Sequence, residues 1–149
     1  MSPTATRPTL TQESVLDAAF RIVESEGGSA LTFRRLGAEL GADPTAVYRH
    51  FRDKDELLLA LADAFYHRGM GDFVPADDWR ETLRSLAERT RAAYVAHPAL
   101  AALAAARTTR RPAEMRAVEI ILGALRAAGL GERDAAVFHR VYADTCLAW

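Results

Sequence analysis

The fold is decided by residues 31–58, which read LTFRRLGAELGADPTAVYRHFRDKDELL. Thr32 is placed to cap a short helix, and Gly41 can adopt the left-handed conformation that ends one. Two residues later, Asp43 and Pro44 supply the cap and the first residue of another helix, predicted to run to about residue 51 or 52. Two short helices joined by a tight turn at a glycine form the arrangement of a helix-turn-helix.

The second of these helices has two different faces. Val47 and Phe51 lie four residues apart and are predicted to pack inward. Another side carries polar residues at helical spacing, namely Thr45, Tyr48, Arg49 and Arg52. Arginine can bind guanine or phosphate, and hydroxyl groups can bond phosphate oxygens, so this face is a plausible reader of DNA. The alternative is an ordinary helical hairpin with a solvated polar face.

The pattern after about residue 10 is helical throughout, and no period-2 strand is evident, so the predicted fold class is all-α. A first helix is predicted from its cap at Thr11 to the glycine pair at 27 and 28. Further amphipathic helices are predicted to start near residues 53, 78, 98, 112 and 132. The predicted organisation is a flexible N-terminal tail (1–10), a three-helix helix-turn-helix domain (11–54) and a helical domain (55–149).

Composition limits the classes of function. Among the 149 residues, 19 basic and 20 acidic side chains give a net charge of −1, so the chain cannot bind nucleic acid simply as a polycation. Any such binding must come from a local patch. Cys146 is the single cysteine, which excludes an internal disulfide and favours a reducing compartment. With no apolar run near the roughly 20 residues of a membrane span and no signal-peptide core, we expect a cytoplasmic protein without membrane association.

The sequence offers no residues for catalysis or metal binding. It has no glycine-rich phosphate loop, serine elbow or paired cysteines, and its four histidines lack metal-binding spacing. Asp63 and His67 lie four residues apart on a predicted helix and could hold a proton or a metal, but a surface salt pair is the commoner outcome. We therefore expect no enzyme activity, no cofactor and no metal.

Residues 31–58 strongly resemble the tetracycline-repressor (TetR) family of bacterial transcriptional regulators. The resemblance rests on the pattern Tyr-x-His-Phe-x-x-Lys-x-x-Leu-Leu that begins at Tyr48, covers about residues 11–65 firmly, and extends loosely past the His97-Pro98 break. It implies a homodimer whose N-terminal domains each enter a major groove of a near-palindromic double-stranded DNA operator, while the C-terminal domains dimerise and bind a small effector. The positions that match DNA contacts are Arg34, Thr45, Ala46, Tyr48, His50 and Lys54, and the helical face adds Arg49.

The function that this resemblance implies is a repressor, associated with the nucleoid when bound to DNA and released by its effector. The rival interpretation is a helical small-molecule binding or interaction protein without specific DNA binding. By rough alignment, Leu86 and Ala104 stand where the founding branch of the family has a drug-binding amide and a metal-ligand histidine, which disfavours magnesium-tetracycline. We therefore expect a largely apolar effector. Its candidate pocket residues, each of which could instead be ordinary core, are Tyr66, Met70, Leu86, Tyr94, Leu103, Met115 and Phe138.

Both ends of the chain carry expectations of their own. The tail includes Arg7, which could reach a minor groove, although a disordered tail is the commoner arrangement. Family members usually carry further C-terminal helices that complete the dimer interface, so the chain is expected to lack the last of these, either as a truncated chain or as an unusually small member. In that case an apolar face would be poorly covered, formed by Phe138, Tyr142, Cys146 and Trp149.

Overall fold

The computed structural model describes residues 10–147, and within that range it contains eight α-helices, one short 3₁₀-helix and no strand. The predicted all-α class is confirmed. Arg7, most of the predicted tail and Trp149 lie outside the described residues. The helices are α1 (Gln12–Glu26), α2 (Phe33–Leu40), α3 (Pro44–Tyr48), α4 (Lys54–Met70), α5 (Trp79–Ala96), α6 (Pro98–Ala105), α7 (Pro112–Ala127) and α8 (Glu132–Leu147), and the 3₁₀-helix spans Gly28–Ala30.

The chain forms two compact units, residues 1–57 and 58–149. The division falls in the first turn of α4, close to the predicted boundary after residue 54. None of the described helices is both long and apolar enough to cross a membrane.

α1 begins and ends where local sequence signals place its termini. The Thr11 side chain accepts a hydrogen bond from the Ser14 backbone N–H, and the Ser14 side chain accepts one from the Thr11 backbone N–H. Gly27 ends the helix with a φ of 83°, which a glycine adopts without steric cost. The inward face is fully buried at Val15 and Val23, so α1 supplies much of the core of the N-terminal unit.

α2 and α3 form the predicted helix-turn-helix. Thr32 caps α2 by accepting a hydrogen bond from the Arg35 N–H, and Gly41 ends it in the left-handed conformation, with φ 59° and ψ 30°. The two helices pack against each other. Leu36 of α2 and Val47 of α3 are buried, and so is Phe51 just after α3. The inward side predicted from Val47 and Phe51 is therefore confirmed.

α3 is shorter than predicted, because it ends at Tyr48 rather than near residue 51 or 52. The His50 N–H bonds the Val47 carbonyl at 2.9 Å, the tighter i→i−3 pattern that closes many helices. The Arg52 N–H then donates to the Glu56 carboxylate at 2.8 Å, and the Glu56 N–H donates to Asp53 Oδ1 at 2.8 Å. These bonds begin α4, and they take the backbone donor that a longer α3 would need.

In the C-terminal unit, α5 packs on α6 and α7, and α7 on α8. One cluster of buried side chains joins α5, α7, α8 and the segment after α4; it consists of Phe73, Leu86, Ile121, Leu125 and Ala135.

Asp63, expected to pair with His67 at the surface, is half-buried, and its Oδ1 accepts hydrogen bonds from the Ala113 and Glu114 N–H groups at 3.0 and 3.3 Å. Asp63 therefore caps the start of α7.

The face of α8 expected to be poorly covered differs from the one observed. Cys146 is buried and Tyr142 is half-buried, with the Tyr142 hydroxyl donating to the Leu83 carbonyl at 2.8 Å. Phe138 is exposed, as expected, but its exposed apolar neighbours are Val137 and Val141. The expectation was wrong for Tyr142, whose hydroxyl bonds α5, and for Cys146, which is buried.

The absence of a side chain at Gly37 permits the tight turn between α2 and α3. A Cβ atom there would lie 2.8 Å from the Ala42 carbonyl oxygen and 3.2 Å from the Pro44 nitrogen, both backbone atoms. We predict that Gly37→Ala lowers the free energy of unfolding by about 1–3 kcal/mol, as overpacking typically does. Urea denaturation followed by circular dichroism measures this.

Gly123→Ala is the matched control, because Gly123 lies in the exposed interior of α7 and a Cβ there would meet nothing within 4 Å. That variant should be neutral or gain up to about 1 kcal/mol from the better helix former. Equal behaviour of the two variants would contradict the role assigned to Gly37.

Candidate nucleic-acid interface and ligand cavity

An aromatic stack joins the two helices of the helix-turn-helix. The Phe33 and Tyr48 rings lie 4.2 Å apart between centroids with an interplanar angle of 12°. Phe33 opens α2 and Tyr48 closes α3, so the stack holds these two helix ends together. Tyr48 remains 53 % exposed. Sequence reasoning placed Tyr48 on the polar face but did not foresee the stack, because the two residues are related by the turn and not by helical spacing.

The cations of the N-terminal unit divide into paired and unpaired groups. Arg35 bridges Glu26 at 2.7 Å and Glu39 at 2.9 Å, Arg21 bonds Glu39 at 3.2 Å, and Arg52 bonds Asp53 at 2.9 Å. The unpaired group is exposed and makes no ion pair with any residue in the described range; its members are Arg34, Arg49 and Lys54. The charge of each paired arginine is already offset by a carboxylate, whereas the unpaired cations can offer their full charge to an external anion.

The paired group also neutralises acidic charge near the helix-turn-helix. Hydrogen bonds from Arg35, and then from Arg21, lower the pKa of the Glu39 carboxyl below its ordinary value. The Arg21–Glu39 and Arg35–Glu26 bonds also tie α1 to α2. Helical spacing does not reveal the bonds between the two helices, since their partners lie 18 and 9 residues apart in the sequence.

Thr45 is exposed but already hydrogen-bonded. Its hydroxyl donates to Asp43 Oδ1 at 2.6 Å, and its backbone N–H donates to the same oxygen at 2.8 Å. These bonds, the hydroxyl first, lower the pKa of the Asp43 carboxyl, so it stays ionised at neutral pH. Thr45 can donate to a phosphate only after exchanging this bond.

Five of the seven predicted contact residues are exposed and form what we call the outer face: Arg34, Thr45, Tyr48, Arg49 and Lys54. Ala46 and His50 are half-buried beside it. Arg49 is the C-cap of α3 and keeps helical backbone angles, φ −70° and ψ −22°, so the shorter helix still carries it on the predicted side. The outer face combines three free cations with a tyrosine ring, a set of groups suited to phosphate and base edges.

The C-terminal unit contains a cavity of about 600 Å³ between α4, α5, α7, α8 and the loop before α7. This volume lies in the range of small-molecule sites. Of the predicted pocket residues, the cavity is lined by Tyr66, Met70, Leu86, Tyr94 and Met115.

Leu103 and Phe138 do not line the cavity. Leu103 is packed into the core on α6, while Phe138 is 53 % exposed on α8. Helical spacing identified both as apolar positions, but it does not say which apolar side faces a cavity.

The lining also includes polar side chains that sequence reasoning missed: Thr90, Arg107, Thr108, Arg110, Glu114, His139, Arg140 and Asp144. Burial raises the pKa of Tyr66 and of Tyr94, so both phenols stay neutral. Burial, with the Arg140 charge, lowers the pKa of His139, so its imidazole is neutral at pH 7. Within the described residues, no three histidine, cysteine or acidic side chains form a group that could hold a metal ion.

Two family models match the chain. Residues 15–61 match "Bacterial regulatory proteins, tetR family", and residues 74–144 match "Tetracyclin repressor-like, C-terminal domain". The HTH-type transcriptional repressor DrrR1 of Streptomyces coeruleorubidus is 35 % identical over 132 residues, which are 86 % of this chain and 48 % of that protein. The chain spans about half the length of the curated relatives it matches.

Solved structures share the fold. The TetR family protein ActR of Streptomyces coelicolor, in complex with (S)-DNPA, superposes with a TM-score of 0.84 at 28 % identity, over 94 % of this chain and 69 % of ActR. BioQ, solved with its natural double-stranded DNA operator, gives a TM-score of 0.82 at 31 % identity, over 93 % of this chain and 84 % of BioQ. The chain belongs to the tetR family of bacterial regulatory proteins.

Proposed function

We propose that the chain is a ligand-responsive, DNA-binding transcriptional regulator, and specifically a repressor that a small molecule releases from a palindromic operator. The observation that carries this proposal is the outer face of the helix-turn-helix, where the unpaired cations lie while the neighbouring arginines are held by carboxylates. Membership of the family supports it, as do a relative named a repressor and similar proteins solved with an operator and with a small molecule.

In this proposal α3 enters the major groove. Arg49 and Tyr48 face base edges or the adjoining phosphates, while Arg34 and Lys54 contact phosphates. Ala46 offers an apolar contact of the kind that a thymine methyl group accepts, and His50 and Thr45 complete the set. Arg34 lies in the first turn of α2 and Lys54 opens α4, so both also benefit from helix N-termini that favour an anion.

The active form is proposed to be a homodimer in the bacterial cytoplasm, with no enzymatic activity and no cofactor. Residues 11–54 form its DNA-binding domain and residues 55–149 contribute to effector binding and dimerisation. Two such domains would contact half-sites about 34–36 Å apart along the DNA, or a deformed operator. The exposed apolar side chains Val137, Phe138 and Val141 on α8 suit a subunit contact.

Release is proposed to be a shift between two arrangements of the dimer. The effector must bind the free protein more tightly than the DNA-bound protein, because a ligand with equal affinity for both states shifts nothing. Tyr66 and Met70 of α4 line the cavity, and Lys54 begins the same helix. α4 therefore carries residues of both proposed sites.

The proposal predicts a salt-dependent complex with DNA selected from a random pool. Lys54→Ala should weaken binding to every sequence and reduce the slope of log affinity against log salt by about one unit, because one phosphate contact is lost. Arg49→Ala should weaken binding and also relax the selected sequence if Arg49 meets a base. Gel shifts over a series of salt concentrations measure both effects.

Arg21→Ala is the control, since it removes the same charge from the same unit but from a cation that Glu39 already holds. Its salt slope should stay close to that of the parent chain. If no DNA were selected above background, the helical binding protein without specific DNA binding would be the better interpretation.

Tyr48 gives a separate prediction, because its ring and its hydroxyl do different things. Tyr48→Phe should keep the stack on Phe33 and lose only a hydroxyl contact, so DNA affinity should fall while the melting temperature is unchanged. Tyr48→Ala should also lower the free energy of unfolding by about 0.5–1.5 kcal/mol from the lost stack. Parallel melting curves and gel shifts test this, and a Tyr48→Phe variant with unchanged affinity would limit Tyr48 to packing.

A further inference from the structure

The loop between α6 and α7 is held in an unusual conformation. Arg110 has a φ of 53°, the only positive φ of a residue other than glycine in the described part of the chain. The Arg110 N–H donates to Glu114 Oε2 at 2.5 Å, and the hydroxyl of Thr109, which is 8 % exposed, donates to the same oxygen at 2.8 Å. The Arg111 N–H donates to Thr109 Oγ1 at 3.2 Å. Strained backbone of this kind persists where the surrounding bonds enforce it, and it concentrates at functional sites.

This loop brings two arginines to the cavity, Arg107 and Arg110. Neither makes an ion pair with any residue that the structure describes. Arg107 donates from Nη1 to the Leu103 carbonyl at 2.7 Å, which leaves the remaining donors of its guanidinium available.

Among the described residues, the two carboxylates that line the cavity make no ion pair with these arginines. Glu114 accepts the hydrogen bonds of the loop described above, and Asp144 is paired with Arg140 at 2.9 Å. The lining therefore carries three arginines and two carboxylates, a net charge of +1, and neither Arg107 nor Arg110 has a carboxylate partner among the described residues. An anion from outside the chain is the chemical group that this arrangement favours.

The rest of the lining is apolar or neutral. Met70, Leu86, Met115 and Ile121 supply apolar surface. Aromatic rings come from Tyr66, Tyr94 and Tyr142, and the first two remain neutral because burial raises their pKa. Such a surface favours a flat ring system with few charges.

We propose that this cavity binds an amphipathic aromatic anion, with its rings among the tyrosine and methionine side chains and a carboxylate or similar acidic group at Arg107 and Arg110. Its regulatory meaning rests on the proposed function, whereas binding itself does not. The ligand is thus largely apolar, as the sequence led us to expect, but it also carries one acidic group that Arg107 and Arg110 hold.

A matched pair of fluorescent probes tests the proposal on the full chain without DNA. The probes are 1-anilinonaphthalene-8-sulfonate and N-phenyl-1-naphthylamine, which share the ring system and differ by the sulfonate. We expect the sulfonate to bind at least about tenfold more tightly, since charge-assisted hydrogen bonds to Arg107 and Arg110 are available only to it. Equal affinity for the two probes would overturn the proposal.

Arg110→Gly is the sharpest variant, because glycine accepts the positive φ and removes the arginine without straining the loop. It should fold at least as stably as the parent and lose most of the preference for the sulfonate. Arg107→Ala should also lose most of the preference for the sulfonate, and circular dichroism checks that this variant is folded. Arg133→Ala removes an exposed arginine that does not line the cavity and should leave the preference unchanged.

Two further variants locate the bound probe. Met115→Ala alters the apolar lining and should weaken both probes to a similar extent. Phe138→Ser alters the exposed α8 surface and should weaken neither. If Phe138→Ser abolished binding while Arg110→Gly left the preference intact, the probe would be on the surface and the proposal would be wrong.

The gel shift separates this proposal from the proposed function. Probe binding with the expected arginine dependence, in a chain that selects no DNA, would support the anion site and reject the repressor. Binding to selected DNA without a preference for the sulfonate probe would support the repressor and reject the anion site.

Discussion

The close approach of α2 to the turn that follows it is the constraint on which the DNA-facing geometry depends. A methyl group at Gly37 would overlap the Ala42 carbonyl oxygen, so α3 can begin where it does only because position 37 has no side chain. The start of α3 then determines where Tyr48 meets Phe33, and the stack in turn holds the start of α2 against the end of α3. The positions of the α3 residues of the outer face thus depend on the missing Cβ at Gly37.

Which charges are paired matters more for the helix-turn-helix than how many charges the chain carries. A net charge of −1 over the chain conceals a local division, in which Arg35 and Glu39 pair while Arg34, Arg49 and Lys54 have no ion-pair partner among residues 10–147. Exposed pairs of this kind contribute little to stability individually. Their effect is on availability, because a carboxylate that is already bonded opposes an approaching phosphate less than a free one.

Local signals made most of the fold predictable. Caps such as Thr11 and Thr32, and the glycine at 41, act within one turn of chain, so their effect can be read from adjacent residues. The end of α3 was not predictable in this way, because it depends on Arg52 and its bond to a glutamate at the start of the next helix. The Arg52 N–H could serve either α3 or α4, and periodicity alone does not show which helix it bonds.

The candidate sites were predictable to different extents. The predicted DNA-contact residues follow helical spacing together with a specific sequence pattern, and five of the seven are exposed. The cavity is assembled from four helices and a loop distant in sequence, and its apolar positions were found only in part. Arg110 could not have been singled out, since a positive φ at an arginine is imposed by Thr109 and Glu114 and not by the arginine itself.

The contact between Thr45 and Asp43 has a consequence for a protein that must find one site in a genome. In the proposed complex, the ionised Asp43 at the start of α3 faces the phosphates of any DNA, and the Thr45 hydroxyl stays bonded to Asp43 until a better acceptor replaces that carboxylate. In that complex, the affinity for arbitrary sequences is reduced. A sequence that offers the Thr45 hydroxyl a better acceptor than Asp43 retains its affinity. Because non-specific sites outnumber an operator by a factor of about a million or more, weakening them improves occupancy of the operator as effectively as strengthening it does.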